Sequence, residues 1–255
     1  MYKIASWNVN SINVRTEHMA QWLERNDVDV LAIQETKCLD EQFPFEPFFD
    51  LGYEVIVSGQ KSYNGVAILS RSEASDIITD VPGFDDPQRR ILAATIDGIR
   101  VINLYVPNGH AVGTEKYAYK LKWLEAVITF IAEQKEIHPK TVVLGDFNIA
   151  PTDLDVWDTK EWQDCILVSH PERTALNRLL HLGFVDSFRL FNQDGDNFSW
   201  WDYRSASYRQ NKGLRIDLVL LSSALVEGCQ NSVIDVTPRT WERPSDHVPV
   251  FVVIK

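Results

Sequence analysis

Residues 91–104 have the sequence ILAATIDGIRVINL, in which two apolar runs flank the dipeptide Asp97-Gly98. An Asp-Gly pair between such runs is typical of a two-residue β-turn, because both of its positions need positive φ angles. We therefore predict strands over Ile91–Ile96 and Ile99–Leu104 that pair as an antiparallel hairpin. At least part of the sheet structure is then antiparallel.

Further apolar runs of strand length lie on both sides of this hairpin. Two segments between them, Thr16–Asn26 and Thr114–Gln134, have instead the periodicity of helices that cover a sheet. Strands that alternate with helices, together with one hairpin, indicate an α/β protein, a layered sandwich with mixed sheets. The other predicted strands are Lys3–Trp7, Val28–Ile33, Tyr53–Val57, Val66–Leu69, Thr141–Leu144, Leu218–Leu221 and Val250–Ile254.

The composition is that of a globular protein. Of the 255 residues, 45% are hydrophobic, and no repeat or Gly/Ser-rich linker divides them, so we expect one domain over residues 1–255. The three cysteines are scattered and form no CxxC pair, which argues against a disulfide framework or a thiolate zinc site. Because no signal peptide and no membrane-spanning run is evident, we expect a cytoplasmic protein that does not enter a membrane.

The charge balance limits the possible partners. With 25 basic and 36 acidic residues the net charge is −11, which argues against a protein that mainly coats nucleic acid. It does not exclude an enzyme that acts on nucleic acid, since carboxylates that hold a divalent cation attract phosphate through the metal.

Polar residues recur where the predicted strands end, and strand ends are where α/β proteins build their sites. The set is rich in oxygen, contains one imidazole and lacks a thiolate, which suits Mg²⁺ or Mn²⁺ better than a structural zinc ion. Each residue alone has a simpler explanation, as a turn residue or a solvated carboxylate, but their joint occurrence favours a site. The set is Asn8, Glu35, Tyr105, Asp146, Asn148, Asp217, Asp246 and His247.

Six motifs resemble those of a known family, in its order: SWNVN (6–10), IQETK (33–37), LYVPNG (104–109), GDFN (145–148), LRID (214–217) and PSDH (244–247). Together they are similar to the exonuclease III family of apurinic/apyrimidinic endonucleases, within the endonuclease/exonuclease/phosphatase superfamily. The resemblance implies a DNase I-like four-layer α/β sandwich, in which two packed mixed sheets are flanked by helices. It also implies a Mg²⁺-dependent phosphodiesterase, with Mn²⁺ as a substitute, that cuts DNA 5′ to abasic sites and trims or degrades 3′ ends.

The resemblance assigns metal-binding roles. Glu35 is the main ligand that it implies, and Asn8 and Asp246 complete or support the metal site. Asn148, together with Asp146, would alternatively help to hold a second metal. The implied metal set is therefore Asn8, Glu35, Asp146, Asn148 and Asp246.

Catalytic roles are implied in the same way. Asp146 would transfer a proton, as either base or acid, and Asn148 would orient it and the nucleophile. His247 and Tyr105 would contact the scissile phosphate. Asp217 would hold one ring nitrogen of His247, which favours the imidazolium and leaves the other nitrogen to donate.

Contacts with DNA are implied for the segment 198–215, which resembles the DNA-repair branch rather than the lipid or inositol phosphatases. Trp200, Leu214 and Ile216 would line an apolar pocket for an extruded abasic sugar, although all three, Ile216 above all, could equally be core residues. Basic residues would contact the phosphate backbone, and Asn108 would lie beside Tyr105. The implied basic contacts are Arg204, Lys212 and Arg215.

The expected partner is double-stranded DNA with abasic sites or 3′ ends, bound by a monomer. Two alternatives stay open. A noncatalytic DNA-binding relative would have lost the polar set, which is intact here. A phosphatase or phospholipase of the same superfamily would keep the polar set but have no use for the basic, aromatic segment 198–215.

Overall fold

The computed structural model describes residues 1–255 and contains two six-stranded sheets packed face to face, with helices on both outer surfaces. This arrangement confirms the predicted four-layer α/β sandwich. The strands are β1 (Tyr2–Asn8), β2 (Val30–Gln34), β3 (Glu54–Ser58), β4 (Val66–Ser70), β5 (Ala74–Ile78), β6 (Ile91–Ile96), β7 (Ile99–Tyr105), β8 (Thr141–Asp146), β9 (Phe184–Asp186), β10 (Asp217–Ser222), β11 (Cys229–Ile234) and β12 (Val250–Ile254). The helices are α1 (Ile12–Asn26), α2 (Glu46–Asp50), α3 (Glu115–Ile137), α4 (His170–His181), α5 (Phe188–Phe191) and α6 (Ser223–Val226).

Both sheets are mixed. Their strand orders are β11-β12-β1-β2-β4-β3 and β5-β6-β7-β8-β10-β9. The pairs β1–β2 and β7–β8 are parallel, and the other neighbours are antiparallel. The predicted hairpin is confirmed, since β6 and β7 pair Ile96 with Ile99 across Asp97 and Gly98, whose φ angles are 49° and 75°.

Three apolar clusters hold the four layers together. The cluster between the two sheets joins residues such as Ile4 and Leu144. A second packs α1, through Trp22, onto the outer face of the first sheet, and a third packs α3, through Trp123, onto the second. The apolar runs of the central strands are buried on both faces because each sheet is covered on both sides.

Three strands that the sequence did not predict, β5, β9 and β11, lie at sheet edges. Most residues of β5 and β11 are exposed or half-buried, so these strands lack the apolar run by which buried strands are found. β9 has only three residues. Edge strands are recognised by their pairing partners rather than by their own composition.

The two predicted helices are present, with α1 one turn longer than expected at its start. A third long helix, α4, was missed, although Ser169 and Glu172 form a capping box at its start and Pro171 follows Ser169 by two positions. This Ser-x-x-Glu pattern was a readable signal of a helix start. None of the helices combines the length and apolar character that a bilayer crossing requires.

Candidate active site

The polar strand-end residues meet at one edge of the sandwich. In the second sheet, Asp146 at the end of β8 is in register with Tyr105 at the end of β7 and with Asp217 at the start of β10. In the first sheet, Asn8 ends β1, and His247 precedes β12, the antiparallel partner of β1. Because parallel strands end at the same edge, and antiparallel ones start there, the topology itself gathers these side chains.

His247 lies buried between two carboxylates. Its Nδ1 is 2.8 Å from Asp217 Oδ2, and its Nε2 is 3.8 Å from Asp146 Oδ2. Burial lowers the pKa of His247, but the charges of Asp217 and Asp146 outweigh this effect and raise the pKa to about 10. The imidazole is therefore cationic at neutral pH. A cationic ring carries an N–H on both nitrogens and can donate two hydrogen bonds, one of them from Nδ1 to Asp217.

Ser199 holds Asp217 in place. Its hydroxyl donates to Asp217 Oδ2 over 2.6 Å and accepts the backbone N–H groups of Ile216 and Asp217. The carboxylate is thereby fixed in the orientation that meets the His247 ring. Sequence reasoning missed this residue, although it lies in the aromatic segment that suggested a DNA-repair enzyme.

Asp146 is fully buried and surrounded by donors. Asn8 Nδ2 and Asn148 Nδ2 donate to its Oδ2 over 2.9 and 3.1 Å, and the backbone N–H of Asn148 donates to Oδ1 over 2.9 Å. Burial is the main effect that raises the pKa of Asp146, to about 7, with a further contribution from Asp217. A carboxyl group poised near neutrality suits proton transfer.

Close backbone packing brings Asp146 to this position. Gly145 has a φ of 142°, and a Cβ there would lie only 1.9 Å from the carbonyl oxygen of Leu104 on β7. Only glycine permits this approach. At the end of β8, the backbone therefore requires glycine at position 145 for steric reasons, and the site uses the carboxyl group of Asp146 for its chemistry.

Glu35 follows β2 in the left-handed region, with a φ of 57°. Its Oε1 accepts from Asn8 Nδ2 over 3.0 Å and from the Tyr105 hydroxyl over 2.8 Å. Although burial opposes ionisation, the ammonium of Lys37 and the Asn8 amide lower the pKa of Glu35, which keeps it ionised. In this structure the Tyr105 hydroxyl donates to a carboxylate, so it orients Glu35.

A cation already lies beside Glu35. The Lys37 ammonium is 2.7 Å from Glu35 Oε2 and 2.5 Å from Asn10 Oδ1, and Asn10 Nδ2 donates to Asp246 Oδ1 over 2.9 Å. Oxygens that converge on one ammonium form an environment that favours a hard cation. Glu35 and Asn10 thus offer oxygens that fit a hard cation, and Asp246 is joined to this position through its hydrogen bond from Asn10. Asn10 and Lys37 were given no role from sequence, although both lie in motifs that suggested the family.

The side chains of two implied metal ligands, Asn8 and Asn148, are hydrogen-bonded at both ends of their amide groups. The Oδ1 of Asn8 accepts the backbone N–H of Asn10, and the Oδ1 of Asn148 accepts from Asn108 Nδ2 over 3.2 Å. Their amide nitrogens face Asp146, so both residues orient the carboxylates through hydrogen bonds.

The structure corrects the implied phosphate contact of Arg215. Its side chain is only 1% exposed and forms ion pairs of 2.7 Å with Asp155 and with Asp186. A guanidinium enclosed by two carboxylates cannot reach a DNA backbone. The pattern of basic residues in the segment 198–215 misled because sequence does not reveal which charges are paired internally.

The implied apolar pocket is also corrected. Leu214 and Ile216 have 0% and 1% of their surface exposed, because Val156, Leu167 and Val168 pack against them in one cluster. In this structure they are core residues, the alternative noted from sequence. Only Trp200 of the three is partly exposed, and its Nε1 donates to Asp246 Oδ2 over 3.0 Å.

Leu167 is buried in this cluster with an unusual backbone conformation. Its φ is 74°, a left-handed geometry that is uncommon for a bulky residue, and only 3% of the residue is exposed. Trp162 and Ile166 pack against the same cluster, and the Trp162 ring meets Trp200 edge to face at 6.5 Å.

Three implied DNA contacts remain on the surface or at its edge. Arg204 is exposed and pairs only with its neighbour Asp202, while Lys212 lies over the Trp157 ring at 4.7 Å. Asn108 is exposed beside Asn148. These side chains are accessible to a ligand that approaches the edge where the strand ends meet.

Comparison with known proteins identifies the family. Residues 5–247 match the model of the Endonuclease/Exonuclease/phosphatase family. The chain is 35% identical to exodeoxyribonuclease III of Haemophilus influenzae, over 99% of this chain and 100% of that one.

Two solved structures superpose on the whole chain. A 3′ phosphatase from Neisseria, bound to a product DNA hairpin, is 42% identical, with a TM-score of 0.98 and 100% of both chains covered. An AP endonuclease from Archaeoglobus fulgidus is 37% identical, with a TM-score of 0.97 and the same coverage. The motifs, the fold and these comparisons agree, and the chain belongs to the exonuclease III branch of the endonuclease/exonuclease/phosphatase family.

Proposed function

We propose that this protein is a Mg²⁺-dependent DNA-repair nuclease that hydrolyses phosphoester bonds at 3′ ends of duplex DNA. The observation that carries the proposal is the contact of His247 with both Asp217 and Asp146, in the same group of strand ends as Glu35 and Asn10, whose oxygens bind the Lys37 ammonium. One cationic donor, one carboxyl group near neutrality and one oxygen-rich cation site are the groups that phosphoester hydrolysis requires. Relatives named as DNA nucleases and a structure bound to DNA support DNA as the substrate.

Glu35, Asn10 and Asp246 are the residues that would hold the metal, in place of the Lys37 ammonium. A bound Mg²⁺ would neutralise charge on the phosphate that undergoes attack. Asn8 and Tyr105 keep Glu35 aimed at this position, since both donate to its Oε1.

His247 would donate from Nε2 to a phosphate oxygen. Asp217 occupies Nδ1 and keeps the ring protonated, so the free N–H can stabilise the charge that develops in the transition state. Asp146 would exchange a proton with the attacking water or with the leaving oxygen, held for this task by Asn8 and Asn148. Arg204, Lys212 and Asn108 would contact the DNA strand outside the reacting bond.

The burial of the implied pocket residues favours 3′-end processing over incision at abasic sites. Leu214 and Ile216 lie in one buried cluster with Leu167, so they present no exposed apolar wall to an extruded abasic sugar. A terminal 3′ group needs no extrusion. The 42% identity to a 3′ phosphatase supports the same preference.

Incision 5′ to an abasic site is the second candidate activity. Its support is the partly exposed Trp200 next to Asp246 and the 37% identity to an AP endonuclease. The two activities differ in what lies in the pocket, so one substitution separates them. Leu167→Gly removes a side chain from the cluster that buries Leu214 and Ile216, and it also relieves the positive φ of 74°.

The test uses three duplex oligonucleotides, with a 3′-phosphate, with an internal abasic analogue, or undamaged, each with Mg²⁺ or with EDTA. We expect Mg²⁺-dependent removal of the 3′-phosphate and slower 3′ shortening, with weaker incision at the abasic analogue. Leu167→Gly should increase abasic incision and leave 3′-phosphate removal unchanged. Strong abasic incision by the wild-type protein would reverse the order of the two candidates, and hydrolysis of none of the three substrates would refute the proposal.

A further inference from the structure

A buried lysine extends beneath the active site. Lys120 of α3 has no exposed surface, although lysine is rarely buried completely. Its ammonium carries three hydrogens, and three oxygens receive them. They are the backbone oxygen of Asn148 at 2.7 Å, that of Asn108 at 3.2 Å and a carboxylate oxygen of Glu172.

Two of these acceptors belong to the loops that carry the polar set. Asn148 follows β8, has a φ of 48° and donates its side-chain amide to Asp146. Asn108 follows β7 and donates its amide to Asn148 Oδ1 over 3.2 Å. The loop after β7 lies directly on the lysine stem, since a Cβ at Gly109 would come within 3.0 Å of Lys120 Cδ.

The third acceptor ties the ammonium to the start of α4. Glu172 has no exposed surface, and its Oε1 also accepts the backbone N–H of Leu167 over 3.1 Å. Its Oε2 accepts both the N–H and the hydroxyl of Ser169, over 3.1 and 2.5 Å. The Lys120–Glu172 pair therefore joins three separate chain segments at one buried point.

The backbone alone does not align the two loops. The last backbone hydrogen bond between them runs from Val106 N to Asp146 O over 2.9 Å. Beyond it, Asn108 and Asn148 are linked only through side chains, and Lys120 binds both carbonyls from below.

We propose that Lys120 is a positioning residue of this nuclease, whose ammonium sets the relative placement of the loops that carry Asn108 and Asn148. It does not touch DNA, because its side chain is enclosed. This inference rests on the proposed function, in which Asn148 holds Asp146 and Asn108 contacts the DNA strand. A displacement of about 1 Å at such a site costs up to about a hundredfold in rate.

The test compares Lys120→Met with Arg100→Met. Arg100 is also a buried cation, 1% exposed, and it binds Gln134 and the backbone carbonyl of Asp76. It lies near the start of β7, at the end opposite Tyr105. Both substitutions should lower stability. We expect Lys120→Met to lower kcat about tenfold or more at a temperature where it is folded, with a smaller rise in KM for DNA from the displaced Asn108. Arg100→Met should leave both kcat and KM within about twofold of wild type. Equal kcat in the two variants would overturn the proposal.

A spectroscopic measurement provides an independent readout. The side-chain amide signals of Asn108 and Asn148 in ¹⁵N NMR spectra should shift or broaden in Lys120→Met and stay unchanged in Arg100→Met. If Lys120→Met does not fold, the double variant K120Q/E172Q, which removes both charges of the pair, replaces it. We expect a smaller loss of kcat in this variant than in Lys120→Met. Wild-type signals and kcat in that variant would overturn the positioning role. A wild-type protein without activity on DNA would instead refute the proposed function.

Discussion

The substitution Asp217→Asn tests how the site keeps His247 protonated. Asp217 lies 2.8 Å from His247 Nδ1 and, together with Asp146, raises the pKa of this histidine to about 10. With Nδ1 bound to Asp217, the Nε2 of His247 donates only while the ring carries its second proton, so the activity limb that His247 sets should fall as pH rises toward 10. Replacing the carboxylate with an amide removes one negative charge and leaves the shape of the side chain nearly unchanged.

The magnitude follows from the lost interaction. A hydrogen bond to a charged group contributes about 1.5 to 3 kcal/mol, and one pH unit corresponds to about 1.4 kcal/mol. The alkaline limb of the activity profile should therefore move down by about one to two pH units. Because Asp146 still lies 3.8 Å from Nε2, part of the elevation should remain.

The assay is the pH dependence of single-turnover 3′-phosphate removal at saturating Mg²⁺, for the wild type and for Asp217→Asn. Ser199→Ala is the matched control, because it removes a donor to Asp217 but keeps the negative charge, and it should move the limb much less. An alkaline limb at the same pH in wild type and Asp217→Asn would refute the assignment of His247 as the charged donor.

Three further predictions follow from the buried charges. Arg215→Ala should lower the free energy of unfolding by about 3 to 5 kcal/mol in urea titrations, because it leaves Asp186 without its ion pair and leaves Asp155 with Arg189 alone. The salt dependence of DNA binding should not change, and a flatter salt dependence at wild-type stability would contradict the burial of Arg215. Glu35→Ala should abolish Mg²⁺ binding measured by calorimetry and should slow cleavage by about a thousandfold, or about 4 kcal/mol. Its circular dichroism spectrum should stay unchanged. Retained Mg²⁺ affinity would exclude Glu35 as a ligand. The stability that His247 contributes should be complete below its unfolded pKa of about 6.5 and lost as pH rises toward its folded pKa of about 10, so His247→Gln should weaken the decline of unfolding free energy over that range.

Much of the fold could be predicted because the central strands carry their own signal. The hairpin of β6 and β7 was placed at its observed limits except that β7 extends to Tyr105 rather than Leu104, since Asp97-Gly98 allows few alternatives. The edge strands β5 and β11 could not be found because their residues are mostly exposed or half-buried and carry no apolar run. They form strands because they pair with a neighbouring strand, and that neighbour is present only in the folded sheet. The start of α4 was readable from Ser169 and Glu172 but was overlooked.

The candidate site was predictable in its membership but not in its contacts. The position of Asp146 and Glu35 at strand ends pointed to them directly. Nothing local distinguishes Arg204, which is exposed, from Arg215, which is buried between carboxylates. Likewise, Lys120 is buried because Glu172, 52 positions further along the chain, supplies its counter-charge.

The sequence by itself determined the layered architecture and the polar residues at the strand ends, because hydrophobic periodicity and turn chemistry act over short stretches of chain. Only the tertiary structure decided which of those groups touch, which charges are neutralised inside and whether the space beside Trp200 is open. These properties depend on segments far apart in sequence, such as Leu167 against Leu214 and Asp217 against His247. Packing and electrostatic interactions depend on the distances between side chains in space, and those distances are set only when the two sheets pack together.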